Sequence, residues 1–310
     1  MRTLGIDTSN YTTSCALYDG KTVCQQKRLL PVKAGEKGLR QSDAVFHHTQ
    51  ALYELMEQLF ADGAQKIDAI GVSEKPRNVQ GSYMPCFTVG INVARSLGAA
   101  LGVPVYGFSH QCGHLAAALY SCGQFERLKN EPFIAFHVSG GTTEMLRVTP
   151  GTEGFFHTEI IGGTSDLNAG QAIDRAGVML GLPFPCGAGL EQLALQSQKE
   201  YAPKVFMKDG FCSLSGLENK CRTMIEKGEA PADVARFCLD YIASALCGMT
   251  EYALQTCGNL PLVYAGGVMS DSLIRSRFSQ QYGGFFAEPA FSCDNAAGAA
   301  VMAYERNNRV

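Results

Sequence analysis

The sequence predicts an α/β protein of two lobes, each a mixed sheet with flanking helices. Three observations carry that expectation. The chain has 310 residues, long for one layered core and comfortable for two lobes of about 150 residues each. A unit of apolar strand, small polar turn and returning strand opens the chain at Leu4 and recurs at Phe133. The first half reads as three strands, then helix, strand, helix and strand.

Taken in order, Leu4-Gly5-Ile6-Asp7 is a buried strand ending in an acid, and Thr8 to Thr13 is a polar turn. Asp7, which ends that strand, and Thr12, within the turn, are the candidate catalytic residues. Ser14–Tyr18 returns as a strand, Asp19-Gly20 is a hairpin signal and Thr22–Leu30 is a third strand. Ser42 or Asp43 is placed to cap a helix that runs to about Phe60. Ala69–Ser73 is a buried strand, Val89–Leu101 a helix of small and apolar residues, and Val105–Phe108 the strand that closes the first lobe. Phe133–Val138, the turn Ser139-Gly140-Gly141-Thr142-Thr143 and the strand Glu144–Val148 repeat the opening. Helices follow near Gln171–Leu180 and Ala232–Thr256, then a strand at Leu262–Ala265, a helix from about Ser270 and a last helix at Asn295–Glu305. The expected lobes are residues 1–108 with about 295–310, and residues 109–294, with a nucleotide and metal cleft between them.

Composition narrows the function. Hydrophobic residues make up 46% and charged residues 18%, an ordinary globular balance. Net charge is -3 and the pI is near 6.1, so no broad basic surface serves nucleic acid; an RNA partner would need a local patch or another subunit. The 12 cysteines form no CxxC pair and read as small hydrophobes in a reducing compartment. No secretory leader is read and no apolar run approaches the ~20 residues of a membrane span, so the expected localisation is cytoplasmic.

The stretch Ser109-His110-Gln111-Cys112-Gly113-His114 follows the strand that closes the first lobe. Histidines four apart share one helix face, so both imidazoles can reach one ion. No Glu follows His110, so the metalloprotease helix with its own general base is excluded. The pair also has a plain reading, one satisfied histidine near a helix start and one solvated. Asp294, just before a small-residue helix, is the candidate third ligand; alternatively its carboxylate caps that helix. Two imidazoles and a carboxylate suit iron or zinc, with magnesium a further option, and leave positions open for water or a phosphate oxygen.

The two strand–turn–strand units, with Ala265-Gly266-Gly267-Val268 as a third Gly-rich turn, match how the actin/hexokinase/70-kDa-chaperone-like fold holds nucleotide. Paired turns without bulky side chains let backbone amides approach the phosphates. Taken singly, each turn is equally a plain hairpin. Asp174 lies on a helix that leads into the Pro/Gly loop 181–187, and Glu191 starts the next helix. Both acids can accept from ribose hydroxyls, while Glu191 is equally a first-turn residue that favours the helix dipole.

Read together, these motifs resemble the universal tRNA threonylcarbamoyladenosine transferase family, historically called O-sialoglycoprotein endopeptidases or glycoproteases. The likeness runs through Leu4-Gly5-Ile6-Asp7-Thr8-Ser9, His110-x3-His114-Leu115, Val138-Ser139-Gly140-Gly141 and Ala169-Gly170-x3-Asp174. It continues through Gly181-Leu182-x2-Pro185-x-Gly187-x3-Glu191, Ser213-Leu214-Ser215-Gly216-Leu217, Ala265-Gly266-Gly267-Val268 and Asp294-Asn295-Ala296-Ala297. The resemblance implies an actin-like fold and a divalent metal held by His110, His114 and Asp294. It implies ATP or an acyl-AMP held by His137, Val138, Ser139, Gly140, Gly141, Asp174, Gly187 and Glu191, with Gly266, Gly267 and Asp271 on the third turn. The implied reaction moves a threonylcarbamoyl group from its AMP anhydride to an adenosine beside the tRNA anticodon. The implied partners are tRNA and the other proteins of the threonylcarbamoylation complex, or a second copy of the chain, and no membrane.

The chain also departs from the family pattern. Asn10-Tyr11-Thr12-Thr13 stands where the family has acids, Lys75 to Pro85 replaces a Gly-Pro-Gly loop, and Thr142 and Asp271 replace expected His/Asn and Asn. These departures point to a divergent member or paralogue. They keep two other readings open: a carbamoyl or acyl transferase with a small-molecule acceptor, and a non-catalytic nucleotide-binding paralogue acting as a partner protein. Proteolysis lacks support, since no nucleophile–base pair is evident.

Overall fold

The computed structural model describes residues 1–9, 11–31, 39–63, 65–151 and 155–309. The first elements are β1 (Thr3–Asp7), β2 (Thr12–Tyr18), β3 (Val23–Leu29), α1 (Gln41–Leu59), β4 (Ala69–Lys75), α2 (Phe87–Leu101), β5 (Val105–Ser109), α3 (His110–Ser121) and α4 (Phe125–Leu128). Then come β6 (Phe133–Val138), β7 (Thr143–Pro150), β8 (Phe156–Thr164), α5 (Ala169–Met179), α6 (Gly187–Ala194), β9 (Met207–Lys208), β10 (Phe211–Cys212) and α7 (Gly216–Glu226). The chain ends with α8 (Pro231–Cys257), β11 (Leu262–Ala265), α9 (Ser272–Gln281), β12 (Phe285–Phe286) and α10 (Ala297–Asn307).

Two compact units result. One comprises Met1–Lys129, Pro150–His157 and Cys293–Val310, the other Asn130–Thr149 and Thr158–Ser292. The histidine helix α3, assigned to the second lobe by the expected 108/109 boundary, therefore lies in the first unit. The reason is the packing of α3 against α10, described below.

The first unit is built on a five-stranded sheet of order β3-β2-β1-β4-β5, with β1, β4 and β5 parallel. Alternation along the strands sorts its two faces. Leu4, Ile6, Leu17, Ile70 and Val72 point to one face and pack on Leu52, Leu55 and Leu59 of α1 and Ala94 of α2. The opposite face carries Gly5 and Gly71, which pair directly across β1 and β4. A Cβ on Gly5 would lie 2.3 Å from the Ala296 carbonyl oxygen, and one on Gly71 would lie 2.1 Å from that of Ala299. Only glycine lets the α10 backbone lie this close to the sheet. Helix α3 then packs along α10: a Cβ on Gly298 would fall 1.9 Å from the Gly113 carbonyl oxygen.

The second unit carries a seven-stranded sheet of order β12-β11-β6-β7-β8-β10-β9. Helices α5 to α9 share one core with it, including Phe136, Val138, Leu190, Leu217, Leu239, Ile242, Leu246, Tyr264 and Phe278. Strands β6 and β11 are parallel neighbours with Ala265 opposite His137, so the turns that follow them leave the sheet side by side.

Several boundaries differ from expectation. Helix α1 starts after Arg40, and neither Ser42 nor Asp43 caps it. Gly267–Ser270 is a short 3-10 turn, and α9 begins after Asp271. The last helix starts at Ala297. Strand β8 and helix α7 were not read from the sequence. All 12 cysteines are free and eight are buried, consistent with their reading as small hydrophobes. Among the described residues, no helix is long and apolar enough to cross a membrane.

Candidate functional site

Because β1, β4 and β5 are parallel, their carboxyl ends lie on one edge of the first unit's sheet, where open α/β sheets hold ligands. Asp7 ends β1, Ser73 lies near the end of β4 beside a register shift, and Ser109 ends β5. Ser109 accepts from the Cys112 N–H at 3.2 Å and so caps α3. His110 and His114 follow on one helix face.

The structure brings the two histidines and Asp294 together. His110 Nε2 and His114 Nε2 are 2.9 Å apart. Asp294 Oδ1 lies 3.2 Å from His114 Nε2 and 3.4 Å from His110 Nε2. Asp294 does not cap α10: Asn295 Oδ1 accepts from Ala297 N instead, at 3.0 Å, which leaves the Asp294 carboxylate for the imidazoles. A tetrahedral ion bound at about 2.1 Å would set its ligand atoms about 3.4 Å apart. The donor set therefore fits a divalent ion with little movement, and it is two imidazoles and one carboxylate, the chemistry of open metal sites.

Asp7 stands behind this set. Its Oδ2 lies 2.8 Å from His110 Nδ1 and accepts from Ser73 Oγ at 2.5 Å. Its Oδ1 accepts from Ser9 N at 2.8 Å and from Ser9 Oγ at 2.5 Å. A carboxylate on Nδ1 fixes the imidazole's orientation and turns Nε2 toward the other two ligands. Burial opposes a charge on His110, but Asp7 and Asp294 outweigh it and push its pKa up to about 10. Burial likewise would raise both acids; His110 holds Asp7 below the carboxylate range, and His110 and His114 hold Asp294 well below it. Thr12 is different. It is the first residue of β2, buried and paired with Leu29, rather than a turn residue. Asn10 lies outside the described residues.

The second unit gathers the residues expected around nucleotide. Ser139 Oγ accepts from Thr142 N at 3.1 Å and Ser139 N donates to Thr142 O at 2.7 Å, closing the β6–β7 turn. A Cβ on Gly170 would meet Gly140 N at 2.6 Å, so α5 begins directly against that turn. Gly266 has φ +99° and a Cβ there would strike the Val138 carbonyl oxygen at 2.2 Å. Gly140, Gly141 and Gly267 stay exposed, and His137 is half-buried. These small residues leave a backbone-lined edge where an anion can approach amides.

The three acids expected near nucleotide have protein partners. Asp174 accepts from Cys186 N at 2.8 Å, which ties α5 to the loop before α6, and burial raises its carboxyl. Gly187 opens α6. Glu191 lies in the middle of α6 rather than at its start, because that helix begins at Gly187. It accepts from Ser272 N at 2.9 Å and from Ser272 Oγ, so it reaches α9. Asp271 caps α9 through bonds from Leu273 N and Ile274 N, each 3.0 Å. Burial, and the nearby Glu191, push its pKa up to about 6 against those amides. Sequence reasoning missed Asp166. Its carboxylate takes Ser213 Oγ at 2.6 Å, Leu214 N at 2.8 Å and Ser215 N at 3.2 Å, holding the Cys212–Ser215 stretch. Its place two residues before Asn168, the residue that precedes α5, was its one sequence trace.

Solved structures share this architecture along the chain. Component A of (R)-2-hydroxyglutaryl-CoA dehydratase from Acidaminococcus fermentans matches with TM-score 0.56 and 16% identity over 99% of each chain. The activator of 2-hydroxyisocaproyl-CoA dehydratase from Clostridium difficile, with bound ADPNP, matches with TM-score 0.54 and 12% identity over 100% of this chain and 96% of that one. Full-length HypF in its phosphate- and nucleotide-bound form gives TM-score 0.62 and 12% identity over 99% of this chain and 55% of that one. At such identities the likeness concerns the fold, which is of the actin/hexokinase type. The sequence speaks to more than the fold: residues 31–301 match one family model throughout, and by that match the chain belongs to the TsaD family, tRNA N6-adenosine threonylcarbamoyltransferase.

Proposed function

We propose that this protein transfers a threonylcarbamoyl group from its AMP anhydride to the exocyclic amine of an adenosine in tRNA. The observation that carries the reading is the convergence of His110, His114 and Asp294, with donor atoms all within 4.8 Å, in a chain of this family. His110 and His114 would hold a divalent ion through Nε2 and Asp294 through Oδ1. When bound, that ion supplies positive charge against the anhydride's oxygens. Asp7 orients His110 through Nδ1 and keeps its ring from turning. It acts as a positioning residue, since four protein donors already occupy its carboxylate.

The amides of Ser139–Gly141 and the open backbone at Gly266-Gly267 would receive the donor's phosphate and adenosine. Asp174, Glu191 and Asp271 would then shape the nucleotide's surroundings. For Glu191 this means exchanging Ser272 for a ribose hydroxyl, which is chemically equivalent as a donor.

The decisive experiment supplies the chain and its partner proteins to cells lacking their own transferase and measures the modified adenosine by mass spectrometry of digested tRNA. Modification should be restored by the wild-type chain and lost with Asp294→Ala. No modified nucleoside from wild type, with the protein folded and its partners present, would defeat the reading. In vitro, elemental analysis should find about one divalent ion per wild-type chain and a large loss in Asp294→Ala.

A further inference from the structure

A hollow of about 430 Å³ in the second unit has no part in the site described above. Asn219, Lys220, Thr223 and Met224 line it from one side of α7. They fall at i, i+1, i+4 and i+5, while Leu217 and Cys221 bury the other side of that helix in the core. Phe237 of α8 and Tyr201, from the segment between α6 and β9, supply two further walls. Their rings meet at 90° with centroids 5.3 Å apart. Tyr201 is fixed at its backbone: its N–H donates to Asp240 Oδ2 at 2.9 Å, and the same oxygen accepts from Arg236 Nε at 3.0 Å. The hollow is therefore preformed. Two aromatic rings at right angles and a thioether offer a flat apolar ring both edge and face contacts.

Charge singles out Lys220. The acid that lines the hollow, Glu229, lies 3.7 Å from Lys199, which also meets Asp233 at 2.7 Å. Two positions on from Lys220, Arg222 reaches Glu218 at 2.8 Å. Lys220 is exposed, and among the described residues no carboxylate lies within ion-pair distance of it. Its Nζ is instead held 4.6 Å from the centroid of the buried Tyr241 ring. That contact restrains a long side chain without neutralising it.

The geometry points to a small-molecule site for an aromatic monocarboxylate: its ring lies against Phe237, Tyr201 and Met224, and its carboxylate takes Lys220 Nζ, with the Asn219 amide beside it. The volume suits one compact ligand, since small-molecule pockets run from about 300 to 1,000 Å³. An amine has less to gain, because Glu229 already has Lys199. None of the lining residues belongs to the His110–His114–Asp294 set or to the turns and acids expected around nucleotide. The inference therefore stands whether or not the chain transfers a threonylcarbamoyl group.

Saturation-transfer NMR and calorimetry with 3-phenylpropanoate on the full chain test this. Wild type should bind it with a Kd on the order of 0.1–1 mM. 3-Phenylpropanamide keeps the ring and drops the charge, and acetate keeps the charge and drops the ring; each should bind at least ~10-fold more weakly. Lys220→Gln should cost about tenfold in affinity for the acid. Lys220→Glu should reverse the preference, releasing 3-phenylpropanoate and taking up 2-phenylethylamine. Thr223→Trp, at an exposed position that lines the hollow, should block the acid by filling the space. ATP binding by calorimetry and the melting temperature should match wild type in all three variants, whose positions are on the surface. No saturation transfer with wild type at about 10 mM ligand overturns the inference. So does equal affinity for acid and amide, or wild-type affinity in Lys220→Gln or Thr223→Trp. Displacement of the acid by ATP would put it in the nucleotide's place and overturn the inference as well.

Discussion

Replacing Gly298 with alanine tests how the α3–α10 contact builds the histidine–carboxylate set. The new Cβ would sit 1.9 Å from the Gly113 carbonyl oxygen, 2.6 Å from its carbon and 2.9 Å from its Cα. Relief to an ordinary carbon–oxygen contact requires α3 and α10 to separate by more than about 1 Å. Helix α10 cannot retreat, because on its other side it lies on Gly5 and Gly71, where Cβ positions are 2.3 and 2.1 Å from its flanking backbone oxygens. The overlap is with backbone rather than a flexible side chain, so the cost should reach the upper end of overpacking, ~3 kcal/mol. For a protein of this size that lowers the melting temperature by about 6–12 °C. His114 follows Gly113 directly, and Asp294 lies shortly before Gly298, so the same displacement should cost at least ~10-fold in Zn²⁺ or Co²⁺ affinity. Gly113→Ala is the control. Its Cβ would face Ser73 Oγ at 3.9 Å, and alanine gains up to ~1 kcal/mol of helix propensity. It should be neutral or stabilising. Calorimetric melting and metal titration on both variants decide the matter. Wild-type melting and metal affinity in Gly298→Ala, or equal damage from the two substitutions, would refute the reasoning.

Three further outcomes are expected. Asp7→Asn should keep the fold yet lower metal affinity about 10–100-fold, because the amide cannot hold His110 in the same tautomer; unchanged affinity by titration would remove Asp7 from a positioning role. Asp271 has a folded pKa of about 6 against an ordinary 3.8. Its contribution to stability is therefore complete below pH 3.8 and lost as pH rises through about 6, on the order of 2–3 kcal/mol. Asp271→Asn keeps an acceptor for the α9 cap and should flatten the pH 4–6 slope of the denaturation midpoint; an unaltered slope would count against a buried, raised carboxyl. Gly266→Ala places a Cβ 2.2 Å from the Val138 carbonyl oxygen at φ +99°. It should cost on the order of 2–3 kcal/mol and weaken ATP binding by calorimetry, and intact ATP affinity would separate this turn from the nucleotide.

Much of this arrangement was legible because its signals are local. Apolar runs such as Leu4–Asp7 and Leu262–Ala265 mark buried strands by composition alone, and the i, i+4 histidines need only a helix to share a face. What stayed hidden depends on distant chain segments. Asp7 could be seen to end a strand, but its partners Ser73 and His110 lie 66 and 103 positions away. Glu191 could be placed on a helix, though nothing nearby disclosed its bond to Ser272. Strand β8, Phe156–Thr164, escaped because Gly162 and Gly163 dilute its pattern. Those glycines are there for contact: Cβ atoms would meet the Gly210 oxygen at 2.4 Å and the Thr143 oxygen at 2.7 Å. Helix α7 escaped because only Leu217 and Cys221 on it are buried, too few for a visible periodicity.

The first unit is drawn from three separated stretches, and the last of them, Cys293–Val310, brings both α10 and Asp294. During synthesis the glycine side of its sheet must stay bare until this stretch leaves the ribosome. A chain cut short before it would lack its covering helix and the carboxylate in one stroke. Covering the sheet and completing the His110–His114–Asp294 set are therefore a single event in folding, and a chain truncated before Cys293 is betrayed by the apolar surface it still shows to chaperones and proteases.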